Sequence, residues 1–426
     1  MRIIVALLLA LSAVPARAEQ MSVEEAVSYA VKNNIGLFNA QQSRDAMEEK
    51  VREYWGGIYP AVNLTSSYTR NFELQSIYFD GRQIPMGADN SYALNLGLSQ
   101  VVWAGGKVRT GIHIAEIYSA SAQQQVRQTE MLLSKTVRNL CYNIVLASAT
   151  AVIEEENLRI ASEHLDQIRA RYKQGLSSDL EELRQDVEVS NALPPVTKAR
   201  NLLDTGLLTL KKTLAMDSER PLALSLAELP SAGDGDLDAF YKAAAGNRPE
   251  LISARLQCRM AKEQIQLARS EFYPYVSAFA ARQYQGQTNS SFPDGQQGTW
   301  STNAGLQLNI SLYAGGSSKS RVRQAEIAKV QAEKTLEDTE RSIRIDVKRA
   351  WLNLKEARQR LEAQEGGVGQ ARKALKAVET RFQNGLSSQL ELNDASLALN
   401  RAQLLRVEAL RDVYVYLADL KWACGQ

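Results

Sequence analysis

The chain has 426 residues, a formal net charge of +2 and 23% charged residues, a near balance that argues against a nucleic-acid partner. Cys141, Cys258 and Cys424 are too few and too irregularly spaced for a disulfide framework, and they read as buried free thiols. The two histidines, His113 and His164, have no Cys or acidic cluster at ligand spacing, so no metal site and no cofactor is expected.

The chain opens with Met1-Arg2, an apolar run from Ile3 to Leu11, and Ala16-Arg17-Ala18. This pattern predicts a signal peptide over 1–18, with the mature chain starting at Glu19. The run is too short to span a bilayer, and no later run reaches about 18 apolar residues, so no transmembrane helix is expected. A β-barrel stays open, because its strands give only weak alternating signals.

Beyond Tyr59-Pro60, Val62, Leu64 and Tyr68 alternate with Asn63, Thr65, Ser67 and Thr69. A polar loop, Glu73–Asn90, follows. Tyr92, Leu94, Leu96 and Leu98 then alternate with Ala93, Asn95, Gly97 and Ser99. Period two predicts two strands, each with one apolar and one polar face. Lengths of about 9–11 residues suit a tilted membrane strand. Gly105-Gly106 ends this stretch. With Lys107 it fails the phosphate-loop pattern, because the upstream Gly is missing and Val108 follows.

No proline occurs from Lys107 to Gln174. A helix over that length reaches about 100 Å. Val137, Ile144, Ala151, Leu158, Leu165 and Tyr172 recur at sevens, beside a second seam of Leu140, Ala147, Ala161 and Ile168. Such a repeat predicts a left-handed supercoil of packed helices. Gly175 stops the helix, and Ser178 with Glu181 forms a capping box for the next one. Pro194-Pro195 should break or kink that outgoing helix.

The rest of the chain repeats this plan. RYKQGLSSDLEEL from Arg171 returns as RFQNGLSSQLELN from Arg381, an offset of 210. Gly105-Gly106 pairs with Gly315-Gly316 at the same offset, while Tyr59-Pro60 pairs with Tyr273-Pro274 at 214. The expected division is a first repeat over 19–216, a linker over 217–236 containing Pro221, Pro230, Gly233 and Gly235, and a second repeat over 237–426. In the second copy, Tyr275–Tyr284 alternates less cleanly, a polar loop runs from Gly286 to Trp300, and Ala304 to Leu312 alternates well. Val347, Leu354, Leu361, Val368, Leu375 and Phe382 carry the heptads. Gly366, Gly367 and Gly369 should weaken this helix by about 1 kcal/mol each relative to Ala.

The fold class is therefore mainly α, with long coiled-coil hairpins and a small β part. Four strands cannot close a lipid-exposed barrel: an open edge leaves backbone groups unpaired, and bacterial barrels start at about eight strands. If these strands lie in a membrane, several chains must share one barrel.

The two Gly-Gly turns after a strand, the Tyr-Pro pairs at 59–60 and 273–274, and the two tips at 175–178 and 385–388 together resemble the TolC-like outer-membrane efflux family. The resemblance covers about residues 20 to 424. It rests on the order and duplication of these motifs rather than on any one of them. It implies a homotrimer in outer-membrane lipid, each chain giving four transmembrane strands to a twelve-stranded β-barrel, with the helices forming a periplasmic tunnel. It also implies a passive exit duct for efflux or type I secretion in a Gram-negative bacterium. The tips Gly175, Leu176, Ser177, Ser178 and Gly385, Leu386, Ser387, Ser388 would dock on a periplasmic adaptor (membrane fusion) protein linked to an inner-membrane pump of RND or ABC type. Acidic residues after the second tip, Glu391 and Asp394, would form the gate. Glu391 is also explained by its capping box, and Asp394 also by an exposed helix face. The cargo class stays open.

Two other readings compete. A periplasmic adaptor-like scaffold should have one hairpin flanked by compact β-rich halves, whereas this chain has two hairpins. An enzyme on a helical scaffold would need a nucleophile–base pattern, a metal cluster or a phosphate loop; none is found, so no catalytic residue is expected.

Overall fold

The computed structural model describes residues 19–175, 177–225, 236–290 and 298–426. The expected signal peptide, Leu176 of the first tip, and parts of the linker and of the second polar loop lie outside the described residues. The chain divides into two compact units, one of residues up to Gln41, Gln125–Leu251 and Thr339–Gln426, the other of Gln42–Gln124 and Ile252–Asp338.

The elements run β1 (Glu19–Ser22), α1 (Val23–Asn33), α2 (Ile35–Gly56), β2 (Ala61–Arg70), β3 (Ser76–Phe79), β4 (Arg82–Pro85), β5 (Asn90–Trp103), α3 (Lys107–Lys173) and α4 (Asp179–Leu214). Then come β6 (Leu222–Ser225), α5 (Leu237–Asn247), α6 (Pro249–Arg269), β7 (Tyr275–Thr288), β8 (Gly298–Asn309), α7 (Ser317–Gln383) and α8 (Gln389–Ala423). Helices α3 and α7 are each 67 residues long, and they begin and end 210 residues apart.

In the first unit the heptad residues are buried where helices pack. Val137, Ile144 and Ala151 of α3 are inside, as are Val347, Leu354 and Leu375 of α7. In α7, Ala350 and Ala357 repeat Leu140 and Ala147 of the second seam, and both are buried, which lets backbones approach closely. Near the chain start, Met21, Ala26, Val27, Leu37, Val137 and Leu210 belong to one apolar cluster. A short parallel pair, Glu19–Ser22 beside Leu222–Ser225, was not evident in the sequence. Four residues per strand are too few to show a period.

The break allowed for at Pro194-Pro195 does not occur. Helix α4 runs unbroken through Pro194 and Pro195. The carbonyls of Ser190 and Asn191 lose their N–H partners four residues on, but both residues are exposed, so water can satisfy them. Helix α7 also runs through Gly366, Gly367 and Gly369, and among the described residues a Cβ added at Gly366 or Gly369 would meet nothing within 4 Å. Helix α3 also contains a stretch that is long and apolar enough to cross a membrane by length and composition alone. Its crowded packing seams concentrate apolar residues there.

The second unit holds one antiparallel sheet in the order β2-β5-β7-β8. It also holds a small hairpin, β3 with β4, inside the stretch read as loop. Asp80 and Gly81 both have positive φ there, 52° and 73°, the twist of a two-residue hairpin turn. The Asp-Gly pair between short apolar runs was the signal that the loop reading passed over. Strand β8 ends at Asn309 rather than at Leu312. Strand β5 continues to Trp103 because β7 pairs with it that far, whereas β8 has no second partner.

Candidate functional site

The sheet presents two chemically different faces. Opposed residues of antiparallel strands share a face. Val62, Leu64 and Tyr68 stand opposite Leu98, Leu96 and Tyr92. Leu98 and Leu94 stand opposite Ala280 and Tyr284, and Ala278 opposite Leu306. This apolar face is open: Leu64 is 67% exposed and Leu306 74%. At the end nearer the loops it carries ring pairs, Tyr68 with Tyr92 at 5.1 Å and Tyr284 with Trp300 at 5.2 Å. The Arg282 guanidinium lies 4.8 Å from the Trp300 ring centre. Apolar residues topped by amphipathic rings match the lipid-facing band and interfacial girdle of a membrane barrel. The other face carries Asn63, Thr65, Asn95, Gln283 and Asn303, as a water-filled interior requires. Among the described residues, the outer edges of β2 and β8 have no strand partner.

The Gly-Gly turns join strands to helices with one backbone conformation. Gly105 and Gly106 have φ of 58° and 84°; Gly315 and Gly316 have 60° and 80°. Only glycine enters this region without a Cβ penalty. The Lys107 N–H donates to the Ala104 carbonyl at 2.9 Å, and the Ser317 N–H to that of Ala314 at 3.1 Å.

The two helical tips are built alike. Gly175 and Gly385 have φ of 73° and 74° and close α3 and α7. The Ser178 hydroxyl accepts from the Glu181 N–H at 3.3 Å, and the Glu181 carboxylate accepts from the Ser178 N–H. Ser388 and Glu391 repeat the arrangement at 3.2 Å and 3.3 Å. Ser177 and Ser387 add hydroxyl contacts to the same carboxylates. Those contacts, Ser387 first and the Ser388 N–H second, hold the Glu391 carboxyl below the usual carboxylate range. Glu391 thus makes a complete cap. The Leu386 N–H donates to the Arg381 carbonyl at 2.8 Å and so helps close α7, while its side chain is 69% exposed. Asp394 lies on an exposed face of α8.

Sequence reasoning missed the polar links that tie the tips together. The buried Gln389 amide donates to the Glu181 carbonyl and to Gln185 Oε1, each at 3.1 Å. Gln185 in turn donates to the Ala161 carbonyl at 2.9 Å. Deeper in the hairpins, the buried Asn400 amide donates to the Glu154 carboxylate at 3.2 Å. The amide donors have no like in the other copy: position 395 is Ala against Gln185, 179 is Asp against Gln389, and 190 is Ser against Asn400. A departure from the repeat was the signal available.

Comparison with known proteins agrees with this geometry across nearly the whole chain. The family model described as outer membrane efflux protein matches residues 26–215 and 240–426. The outer membrane protein TolC of Vibrio cholerae is 23% identical over 403 residues, covering 94% of this chain and 90% of that one. A probable efflux pump outer membrane protein of Pseudomonas putida, TtgC, is 25% identical over 390 residues, covering 90% and 78%. The crystal structure of the outer membrane protein VceC from Vibrio cholerae has the same fold, with a TM-score of 0.81 at 17% identity, covering 95% of this chain and 96% of that one.

Proposed function

Since the chain belongs to the outer membrane efflux protein family, and is an outer-membrane channel protein in that sense, we propose that three copies share one β-barrel and one helical duct. The observation that carries this reading is the open sheet, with an apolar face, a polar face and two unpaired edges. In hydrocarbon both edges must be paired, and four strands are too few to close on themselves. Three copies give the twelve strands that the family resemblance implies.

The adaptor-like alternative is not supported. The chain has two long hairpins rather than one, and the family model matches both halves. Membership of a channel family also leaves the enzyme reading without a basis.

In the proposed assembly the duct is passive and ends at the tips around Gly175 and Gly385. These dock on a periplasmic adaptor that connects to an inner-membrane pump. The exposed Leu386 side chain is the docking group, since capping uses only its backbone N–H; Leu176 is its repeat partner in sequence. Asp394 and Glu391 form the gate, Asp394 as a ring of three carboxylates around the axis, Glu391 as a second ring close to the tip. Like charges so placed attract cations.

The test is single-channel recording in planar bilayers. The parent chain should be cation-selective and blocked by divalent cations from the periplasmic side. Asp394→Asn should weaken both, and Asp394→Asn with Glu391→Gln should weaken them further. Unchanged selectivity and block in both variants would reduce these residues to a surface carboxylate and a cap.

A further inference from the structure

The internal repeat fixes more than the number of strands; it fixes the register in which one copy of the chain meets the next. Within each copy the hairpin register is the same. Ala61↔Ser99 and Val62↔Leu98 in β2–β5 become Tyr275↔Asn309 and Val276↔Leu308 in β7–β8, when 214 is added on the first strand and 210 on the second. The sheet also contains one junction between copies, β5 with β7, where Gln100↔Ala278, Leu98↔Ala280, Gly97↔Ala281 and Leu96↔Arg282. The matching junction from the second copy to a first copy cannot form within the chain, because β2 and β8 lie at opposite edges of the sheet.

We infer that β8 pairs with β2 of a partner subunit in the register of β5 with β7. The same offsets then set Ile310 opposite Leu64 of the partner subunit, Leu308 opposite Ser66 of the partner subunit, Gln307 opposite Ser67 of the partner subunit, and Leu306 opposite Tyr68 of the partner subunit. Faces agree throughout: apolar positions meet apolar-face positions, and Gln307 meets a hydroxyl on the polar face. The proposal rests on the shared-barrel reading above and adds its residue-level interface.

A second observation, independent of strand register, points to the same partner. At the β5 corner, Gly105 sits under Tyr273: a Cβ added at Gly105 would lie 2.6 Å from the Tyr273 Cβ and 3.0 Å from the Ser270 carbonyl oxygen. The Trp103 ring meets Tyr273 edge-on at 6.0 Å. The repeat places Gly315 and Tyr313 at the β8 corner. There the backbone is the same, but a Cβ added at Gly315 would meet nothing within 4 Å, and Tyr313 is 87% exposed. The repeat counterpart of Tyr273 is Tyr59, itself 69% exposed. Tyr59 of the partner subunit therefore fills the seat over Gly315, with Tyr313 against its edge. The repeat position of the bulged Val102 in β5 is Leu312, which lies beyond the last paired residue of β8, Asn309.

Cysteine cross-linking of the full chain in outer membranes tests this. Leu308→Cys with Ser66→Cys probes the apolar face, and Gln307→Cys with Ser67→Cys probes the polar face, where backbone pairing differs and one of the two pairs has the shorter Cβ separation. The native thiols are buried, and the parent chain serves as the blank. At least one matched pair should give covalent trimers. A pair shifted by two residues, Leu308→Cys with Leu64→Cys, should give about fivefold less or lower, because diagonal neighbours stand ~7–8 Å apart. Stronger cross-linking of the shifted pair in an intact trimer overturns the register and leaves the shared barrel standing. Absence of cross-links at both matched pairs in an intact trimer also overturns it. A parent chain that is monomeric overturns the shared barrel and this interface together.

Discussion

The Gly105 and Gly315 corners share a backbone to within a few degrees, yet one is filled and the other empty. The difference teaches what a duplicated sequence does and does not dictate. Local conformation follows the glycines in both copies. Packing follows what the chain can bring to each corner: Tyr273 reaches Gly105, while among the described residues nothing lies within 4 Å of a Cβ added at Gly315. The filled corner follows the inner strand β5, and the empty corner follows the edge strand β8.

Substitution at these corners should give the largest effect and separates folding from assembly. Gly105→Ala forces a left-handed residue, at about 1–2 kcal/mol, into a contact that needs backbone movement, at about 1–3 kcal/mol more. The sheet should lose roughly that stability, read as earlier thermal loss of β-structure by circular dichroism. Gly315→Ala has only the conformational cost within the chain, so its larger effect should be on the trimer, read as monomer released at lower temperature. Equal loss of sheet stability in both variants would mean that the two corners are not different environments.

The outgoing and incoming helices offer a second contrast. Pro194 and Pro195 lie inside α4, and three glycines lie inside α7, yet both helices are continuous. Proline in a helix interior costs about 3 kcal/mol relative to Ala, and glycine about 1. Pro194→Ala should therefore stabilise the folded chain by up to that larger amount, and Gly366→Ala by about the smaller. Denaturant midpoints measure both. A destabilising Pro194→Ala would show that a neighbouring surface is shaped to the proline.

Much of this was legible in the sequence because period and punctuation are local. Sevens in Val137 to Tyr172, Gly at both tips and Ser-x-x-Glu after them require only neighbouring residues, and the elements stand where those signals put them. The end of β8 was misplaced because alternation continues to Leu312, whereas pairing depends on a partner. The buried Gln185–Gln389 link was invisible because the residues lie 204 positions apart and their polarity reads as surface. The continuity of α4 reflects exposed carbonyls at Ser190 and Asn191, which no local rule reports.

The smallest effect sharpens the comparison of the tips. The Glu391 carboxyl is held below its ordinary range by Ser387 and Ser388. A carboxyl whose pKa is lowered on folding stabilises the folded form above its unfolded value of about 4.3, and that contribution is lost as pH falls through the folded value. The second tip should loosen on acidification below about pH 4, read as faster amide exchange near Ser388. Glu391→Gln should remove most of that dependence. An unchanged pH profile in Glu391→Gln would show that the carboxylate does not hold the cap.

Three copies sharing one barrel is the claim on which gate, docking tips and interface register all depend, and the mass of the folded parent chain in mild detergent tests it most directly. Light scattering corrected for bound detergent should give a monodisperse particle of three chains with intact helix and sheet signals. A monodisperse, natively folded particle of one chain would contradict the account, because its sheet edges would then be stable without the partners that hydrocarbon demands.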